Sequence, residues 1–269
     1  LSRAEDIKPD GRSVNLFLGR SGGGKTAAAC SYPRPMHVLD LDGRIRGGLT
    51  PWIDRKGIEY TYFPPKEKGA LVFQKLNDFF DLLYTQQTMR RLELQTLVLD
   101  SITWASIDLV LDSMTMTHGT GTKGKQMGAL QIPGMDDFKF RFNGINNIIA
   151  FLKTIAIPNI IVTAHVVNKW GKLRDKETGE VIDQYAENVI VGEQVNLVES
   201  LAETLPSSFD NIFYFRKDDT GKRFTFEAHG ELARTAYHGI PYGKLDVTGK
   251  SFYDTLQKDY VSKMQQTQV

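Results

Sequence analysis

The stretch Val14-Asn15-Leu16-Phe17-Leu18-Gly19-Arg20-Ser21-Gly22-Gly23-Gly24-Lys25-Thr26-Ala27-Ala28-Ala29 decides the fold. Its first five residues are almost wholly apolar, the pattern of a strand covered on both faces in a parallel sheet. Gly19 to Thr26 then fit G-x-x-x-x-G-K-[ST], and the alanines that follow suit a helix. Each part has a physical task. Gly19, Gly22, Gly23 and Gly24 let the backbone curl so that N–H groups of Arg20, Ser21 and their neighbours point at phosphate oxygens, and the helix start adds its positive end. Lys25 is placed to reach the β- and γ-phosphates, and the Thr26 hydroxyl to ligate Mg²⁺. The plain alternative is a glycine-rich turn that happens to contain Lys-Thr; the strand before it and the helix after it weigh against that.

Three further runs, Met36 to Leu41, Thr96 to Leu99 and Asn159 to Val162, are also apolar on nearly every residue. Helical spacing lies between them, at Leu71, Leu76, Phe79, Phe80 and Leu83 and again at Ile145, Ile148, Ile149 and Leu152. Strands alternating with helices predict an α/β fold with a doubly wound, mainly parallel sheet. Asn211 to Arg216 and Arg223 to Ala228 flank Asp218-Asp219-Thr220-Gly221, which predicts a C-terminal antiparallel hairpin. Thr117 to Gly134 and Asn168 to Asn188 lack clear periodicity and read as long loops or flexible hairpins. A length of 269 residues allows one or two domains. The expectation is one domain over residues 1–262, with a polar tail at 263–269.

Lys plus Arg is 33 and Asp plus Glu is 32, for a net charge of +1, which excludes binding of nucleic acid or anionic membrane by bulk charge. With 41% apolar and 24% charged residues the chain is not of the disordered class. The single cysteine, Cys30, excludes an intrachain disulfide and a cysteine metal cage, and points to a reducing, cytoplasmic location. No run approaches the ~18 consecutive apolar residues of a membrane span.

A phosphate-binding loop calls for a carboxylate on a neighbouring strand to hold Mg²⁺. Thr96-Leu97-Val98-Leu99-Asp100-Ser101 supplies Asp100 at the C-terminal edge of the sheet, where ligands of open α/β sheets bind. The alternative for Asp100 or Ser101 is to cap a helix over Thr103 to Met114. Val38-Leu39-Asp40-Leu41-Asp42-Gly43 brings two more carboxylates to the same edge, and Asp42 is placed to polarise an attacking water. Its alternative is a turn dipeptide with Gly43.

Over about residues 14 to 240 these features resemble the RecA-like ATPases, together with Thr163-Ala164-His165 ending the fourth run and the stretch from Leu205-Pro206 to Phe209-Asp210. More narrowly they resemble the phage RecA-like proteins of the Sak group, implicated in single-strand annealing and recombination. The resemblance implies ATP and Mg²⁺ as cofactors, a homo-oligomer in ring or filament form, single-stranded DNA as a partner, and a single-strand-binding protein as a further one. Asp42 falls where the family has a catalytic glutamate. His165 falls where it has a glutamine that senses the γ-phosphate and signals to a DNA-binding loop. Arg234, in Ala233-Arg234-Thr235-Ala236, falls where a Lys-Thr-Arg stretch reaches the neighbouring subunit's nucleotide, with Ala236 in place of the arginine.

The two irregular stretches fall where the family holds DNA. The first carries Lys123 and Lys125, and the second carries Lys169, Trp170, Lys172 and Arg174, cations beside an aromatic ring that suits stacking on a base. Asp175, Glu177, Glu180, Asp183 and Glu187 nearly cancel the second set, so a solvated loop is the alternative. A helicase-like or helicase-loading motor is the other function this core serves. A small-molecule kinase fits less well, for want of a compact arginine cluster to close over a second substrate.

Overall fold

Strand β1 (Ser13–Gly19) sends Leu16 and Leu18 to one side and Phe17 to the other, and all seven of its residues are buried. A strand apolar on both sides needs cover on both, and the computed structural model supplies it. The structure describes residues 12–45, 55–63, 71–117, 126–127, 130–131, 133–172, 178, 181, 189–235, 240 and 242–257. After β1 come α1 (Lys25–Ala29), β2 (Met36–Asp40), β3 (Ile58–Tyr62), α2 (Val72–Thr88), β4 (Thr96–Asp100) and α3 (Ile102–Thr117). A small pair, β5 (Gln126–Met127) and β6 (Leu130–Gln131), precedes α4 (Met135–Thr154), β7 (Asn159–Gly171), β8 (Val189–Val195) and α5 (Glu199–Thr204). The chain ends in β9 (Asn211–Lys217), β10 (Phe224–Glu227), β11 (Leu245–Asp246) and α6 (Phe252–Leu256).

The main sheet has the order β11-β10-β9-β1-β7-β4-β2-β3, with β8 paired to β7 off this path. From β9 to β3 every neighbouring pair is parallel, while β9–β10 and β10–β11 are antiparallel. This is the doubly wound, mainly parallel sheet with a C-terminal antiparallel hairpin. On one face, leucines of β1 and β4 meet Leu76 and Phe80 of α2, Leu109 of α3 and Ile145 of α4. On the other face Phe17, Val38, Phe213, Phe215 and Phe226 meet Ala28 and Ala29 of α1 and Phe252 of α6. Phe252 stands edge-on to Phe17, Phe213, Phe215 and Phe226, so the last helix is stitched to the middle of the sheet.

One strand escapes the apolar runs, and one irregular stretch takes a definite form. Ile58–Tyr62 is a strand that the apolar runs miss, because it lies at the sheet edge with Tyr60 and Tyr62 exposed and polar residues between apolar ones. Of the two readings for the stretch from Asn168, its start takes the hairpin. β7 continues to Gly171 and pairs antiparallel with β8, from Val166 opposite Val195 to Gly171 opposite Val189. Lys169 and Trp170 therefore stand on a two-stranded arm, held by cross-strand hydrogen bonds instead of by burial, and its mostly solvated composition hides the strand. Lys123, Lys125, Arg174 and the tail 263–269 lie outside the described residues. Among the described residues no helix is long and apolar enough to cross a membrane.

Candidate nucleotide-binding site

Strand register assembles the site. Gly19 lies opposite His165 in the β1–β7 pair, Leu99 opposite Val162 in β4–β7, and Asp40 opposite Asp100 in β2–β4. The C-terminal ends of four adjacent parallel strands thus bring the P-loop, Asp40, Asp100, Thr163 and His165 to one edge. A slip of one residue in any pair would turn these side chains to the opposite face.

Asp100 sits fully buried beneath the P-loop and takes two hydroxyl hydrogen bonds. Thr26 Oγ1 donates to its Oδ2 at 2.6 Å, and Thr163 Oγ1 donates to its Oδ1. Both readings of Asp100-Ser101 are resolved by a division of labour. Asp100 faces the P-loop threonine, while Ser101 starts α3, its Oγ accepting from the Trp104 N–H at 3.4 Å and its carbonyl from the Ala105 N–H at 3.0 Å. Burial, then the neighbouring Asp42, raise the Asp100 pKa above the ordinary carboxylate value.

Lys25 is buried, and its Nζ donates to the Gly19 carbonyl at 2.9 Å and the Arg20 carbonyl at 3.0 Å. It also lies 3.4 Å from His165 Nδ1, and burial pushes its pKa down to about 8 against the pull of Asp100 and Asp42. On the other side of the imidazole, His165 Nε2 is 3.6 Å from Asp42 Oδ2. Lys25, His165 and Asp42 thus form a row along the cleft. Asp42 also takes part in the turn, its Oδ1 accepting from the Arg44 N–H at 3.1 Å. Asp40 closes the same turn by accepting from the N–H groups of Arg44 and Ile45, and burial raises its pKa to about 6.

The cleft, about 480 Å³, is lined by the P-loop from Ser21 to Ala27 and by Asp42, Arg44, Asp100, His165 and Phe224. Arg44 and Phe224 are residues that sequence reasoning missed. Arg44 donates from Nη1 to Ser21 Oγ, which puts a cation at the mouth of the phosphate loop. Only its place two residues after Asp42 hints at this. Phe224, at the start of β10, also borders an adjoining hollow of about 310 Å³ between α1 and α6, walled by Phe215, Val247 and Phe252 with Ser31, Arg34, Lys250, Ser251 and Asp254 as polar groups. Apolar walls with a few polar groups suit a flat heterocycle.

The other candidates lie elsewhere. Arg20 points outward, its backbone carbonyl alone serving the Lys25 contact. Arg234 is bridged to Ile212, and its Nη2 donates to the carbonyls of Pro206 at 2.7 Å and Phe209 at 3.2 Å. Its guanidinium is thereby engaged within its own chain. Lys169 and Trp170 are exposed on the arm, and Lys172 lies just beyond it. Buried Cys30 has its thiol pushed up to about 12 by desolvation, so it packs and does not react.

A parallel sheet with a P-loop after one strand and a hydroxyl-bonded carboxylate at the tip of another defines a RecA-like P-loop NTPase fold. The AAA domain family matches residues 13–231, and the chain belongs to that family. Among solved structures, a KaiC-like protein from the hyperthermophilic archaeon Pyrococcus horikoshii is similar at 12% identity, with 90% of this chain and 87% of that one covered and a TM-score of 0.44. No curated protein matches the chain.

Proposed function

We propose that this AAA-family chain is a Mg²⁺-dependent ATPase that binds single-stranded DNA and works as a homo-oligomer in annealing or recombination of the phage Sak type. The observation that carries the catalytic part is the Thr26–Asp100 hydrogen bond beneath Lys25, with the His165–Asp42 pair beside it. The Thr26 hydroxyl and Asp100 carboxylate are hard oxygen donors of the kind Mg²⁺ takes, Asp100 acting through water. The ion, when bound, neutralises charge developing on the phosphates.

The chain's own residues do the rest. Lys25 leaves the Gly19 and Arg20 carbonyls for the phosphates, Arg44 adds a second cation at the cleft mouth, and the hollow between α1 and α6 takes the nucleoside end. Asp42 orients the attacking water, and His165, within reach of both Lys25 and Asp42, senses the γ-phosphate. Lys169 and Trp170 meet DNA from the arm, the one neutralising phosphate and the other stacking on a base. Arg234 has a sufficient task within its own chain, so this reading does not rest on it as a finger for a neighbouring subunit.

The test is ATP turnover with and without single-stranded DNA for the parent, Lys25→Ala, Asp42→Asn and His165→Ala. Loss of one positioned charge-stabilising group costs roughly 10²- to 10³-fold in rate, and that is expected for Lys25→Ala. His165→Ala is expected to keep basal turnover and lose the DNA stimulation. No turnover in the parent at any DNA concentration overturns the reading, and strand displacement instead of annealing replaces it with a motor.

A further inference from the structure

Arg20 belongs to the P-loop by sequence but sends its side chain away from the cleft. Its Nε donates to Glu193 Oε1 at 3.1 Å and its Nη2 to Asn168 Oδ1. Asn168 and Glu193 stand opposite one another in the β7–β8 arm, so one guanidinium ties the P-loop to both strands. Glu193 is itself fixed. Its other oxygen accepts from Tyr214 Oη at 2.5 Å and Arg216 Nη2 at 3.2 Å, both on β9, and Arg216 in turn pairs with Glu227 of β10 at 3.3 Å. Although Glu193 is partly desolvated, its bonds to Tyr214 and Arg20 and the charge of Arg216 hold its carboxyl below the ordinary range, so it stays anionic at neutral pH.

We propose that Arg20, Glu193 and Asn168 form a clamp through which occupancy of the phosphate cleft sets the posture of the β7–β8 arm, with Glu193 as the positioning residue. This rests on the nucleotide-binding reading above. The route is short. Lys25 Nζ holds the Arg20 carbonyl, and a phosphate that draws Lys25 away releases that carbonyl. The peptide plane at Arg20 is then free to turn, and the bidentate side chain carries the turn to Asn168 and Glu193. Two residues beyond Asn168 stands Trp170, exposed on the arm, which gives the movement an optical reporter. This input enters the arm three residues beyond His165 and does not pass through the imidazole.

The experiment uses the full chain. Binding of a fluorescent ATP analogue with Mg²⁺ gives nucleotide affinity. The change in Trp170 emission on adding unlabelled ATP, taken as the difference between the parent and Trp170→Phe, gives arm posture. Glu193→Gln keeps an acceptor for Tyr214 but removes the charge that holds Arg20. It is expected to leave affinity within about twofold and to cut the Trp170 response by at least half. Adding Arg20→Ala to Glu193→Gln is expected to remove what remains of the response, because the bond to Asn168 goes too, and the double variant is expected to match Arg20→Ala alone, the non-additivity of two groups in one contact. A Glu193→Gln protein with an undiminished Trp170 response, or a parent that binds nucleotide with no Trp170 change, overturns the clamp alone. A parent that binds no nucleotide removes the nucleotide reading and the clamp with it.

Discussion

At the scale of single residues the cleft holds charges at an energetic cost. Asp100 is a buried carboxylate whose pKa is raised above its ordinary 3.8, first by desolvation and then by Asp42. A carboxyl raised on folding contributes stability below its unfolded pKa and loses it as pH climbs through the folded one, so ionising Asp100 burdens the nucleotide-free protein. Asp100→Asn is therefore expected to raise Tm by about 2–5 °C in a melt without nucleotide while turnover falls by roughly 10²-fold or more. Lys25 gives the complementary case, lowered from 10.5 to about 8. Between those pH values the unfolded chain binds more protons than the folded one, so stability rises with pH. Urea unfolding of the parent is expected to show this rise between pH 7.5 and 9, by about 1 kcal/mol, and Lys25→Met to flatten it, whereas above pH 9 the raised thiol of Cys30 works in the opposite direction.

At the scale of elements, β1 and β9 approach so closely at Gly19 that a Cβ there would fall within the Phe215 carbonyl oxygen, and Gly19 has φ +152°. Gly19→Ala must push the P-loop off β9. Its cost is expected to exceed about 3 kcal/mol in denaturant unfolding, with nucleotide binding lost. Arg234 makes a contrasting prediction. Two guanidinium bonds to the carbonyls of Pro206 and Phe209 make Arg234→Ala cost about 1–3 kcal/mol in a thermal melt, with affinity for a fluorescent ATP analogue unchanged. A variant with unchanged Tm but collapsed turnover would restore the finger acting on a neighbour.

The elements that sequence reveals and those it hides differ in what holds them. β1, β2, β4 and the inner half of β7 are legible because burial on both faces writes itself as unbroken apolar runs. The P-loop is legible because phosphate geometry demands glycines at fixed spacing. β3 and the outer half of β7 escape because one is a half-covered edge and the other a solvated arm, both held by backbone hydrogen bonds that leave little trace in side-chain pattern. Arg44 and Phe224 escape for another reason. They reach the cleft from a turn and from the start of a late strand, and only the fold brings them to residues 19–26.

At the scale of the whole molecule, a ligand that binds the folded chain alone stabilises it by about 2.7 kcal/mol at 100 times its Kd. ATP with Mg²⁺ at that level is expected to raise Tm by about 5–10 °C, and EDTA to remove most of the gain, as calorimetry of the parent would report. With a net charge of +1, DNA affinity must come from a few local cations, so its fall with salt is expected to be shallow, with a log–log slope of magnitude below about 4 in anisotropy titrations.

The place of β1 between β7 and β9 has a consequence for how the protein is made. Asn15 and Asn211, hydrogen-bonded side by side in adjacent strands, are separated by 196 residues of chain. During synthesis from the N-terminus, the most recognisable segment of the sequence waits as an apolar strand with neither neighbour. Pairings of such long range form late, and Gly19 meets the Phe215 carbonyl only when β9 has emerged from the ribosome. A nascent chain stalled before β9 carries β1 with one flank unpaired, an open strand edge until β9 closes it.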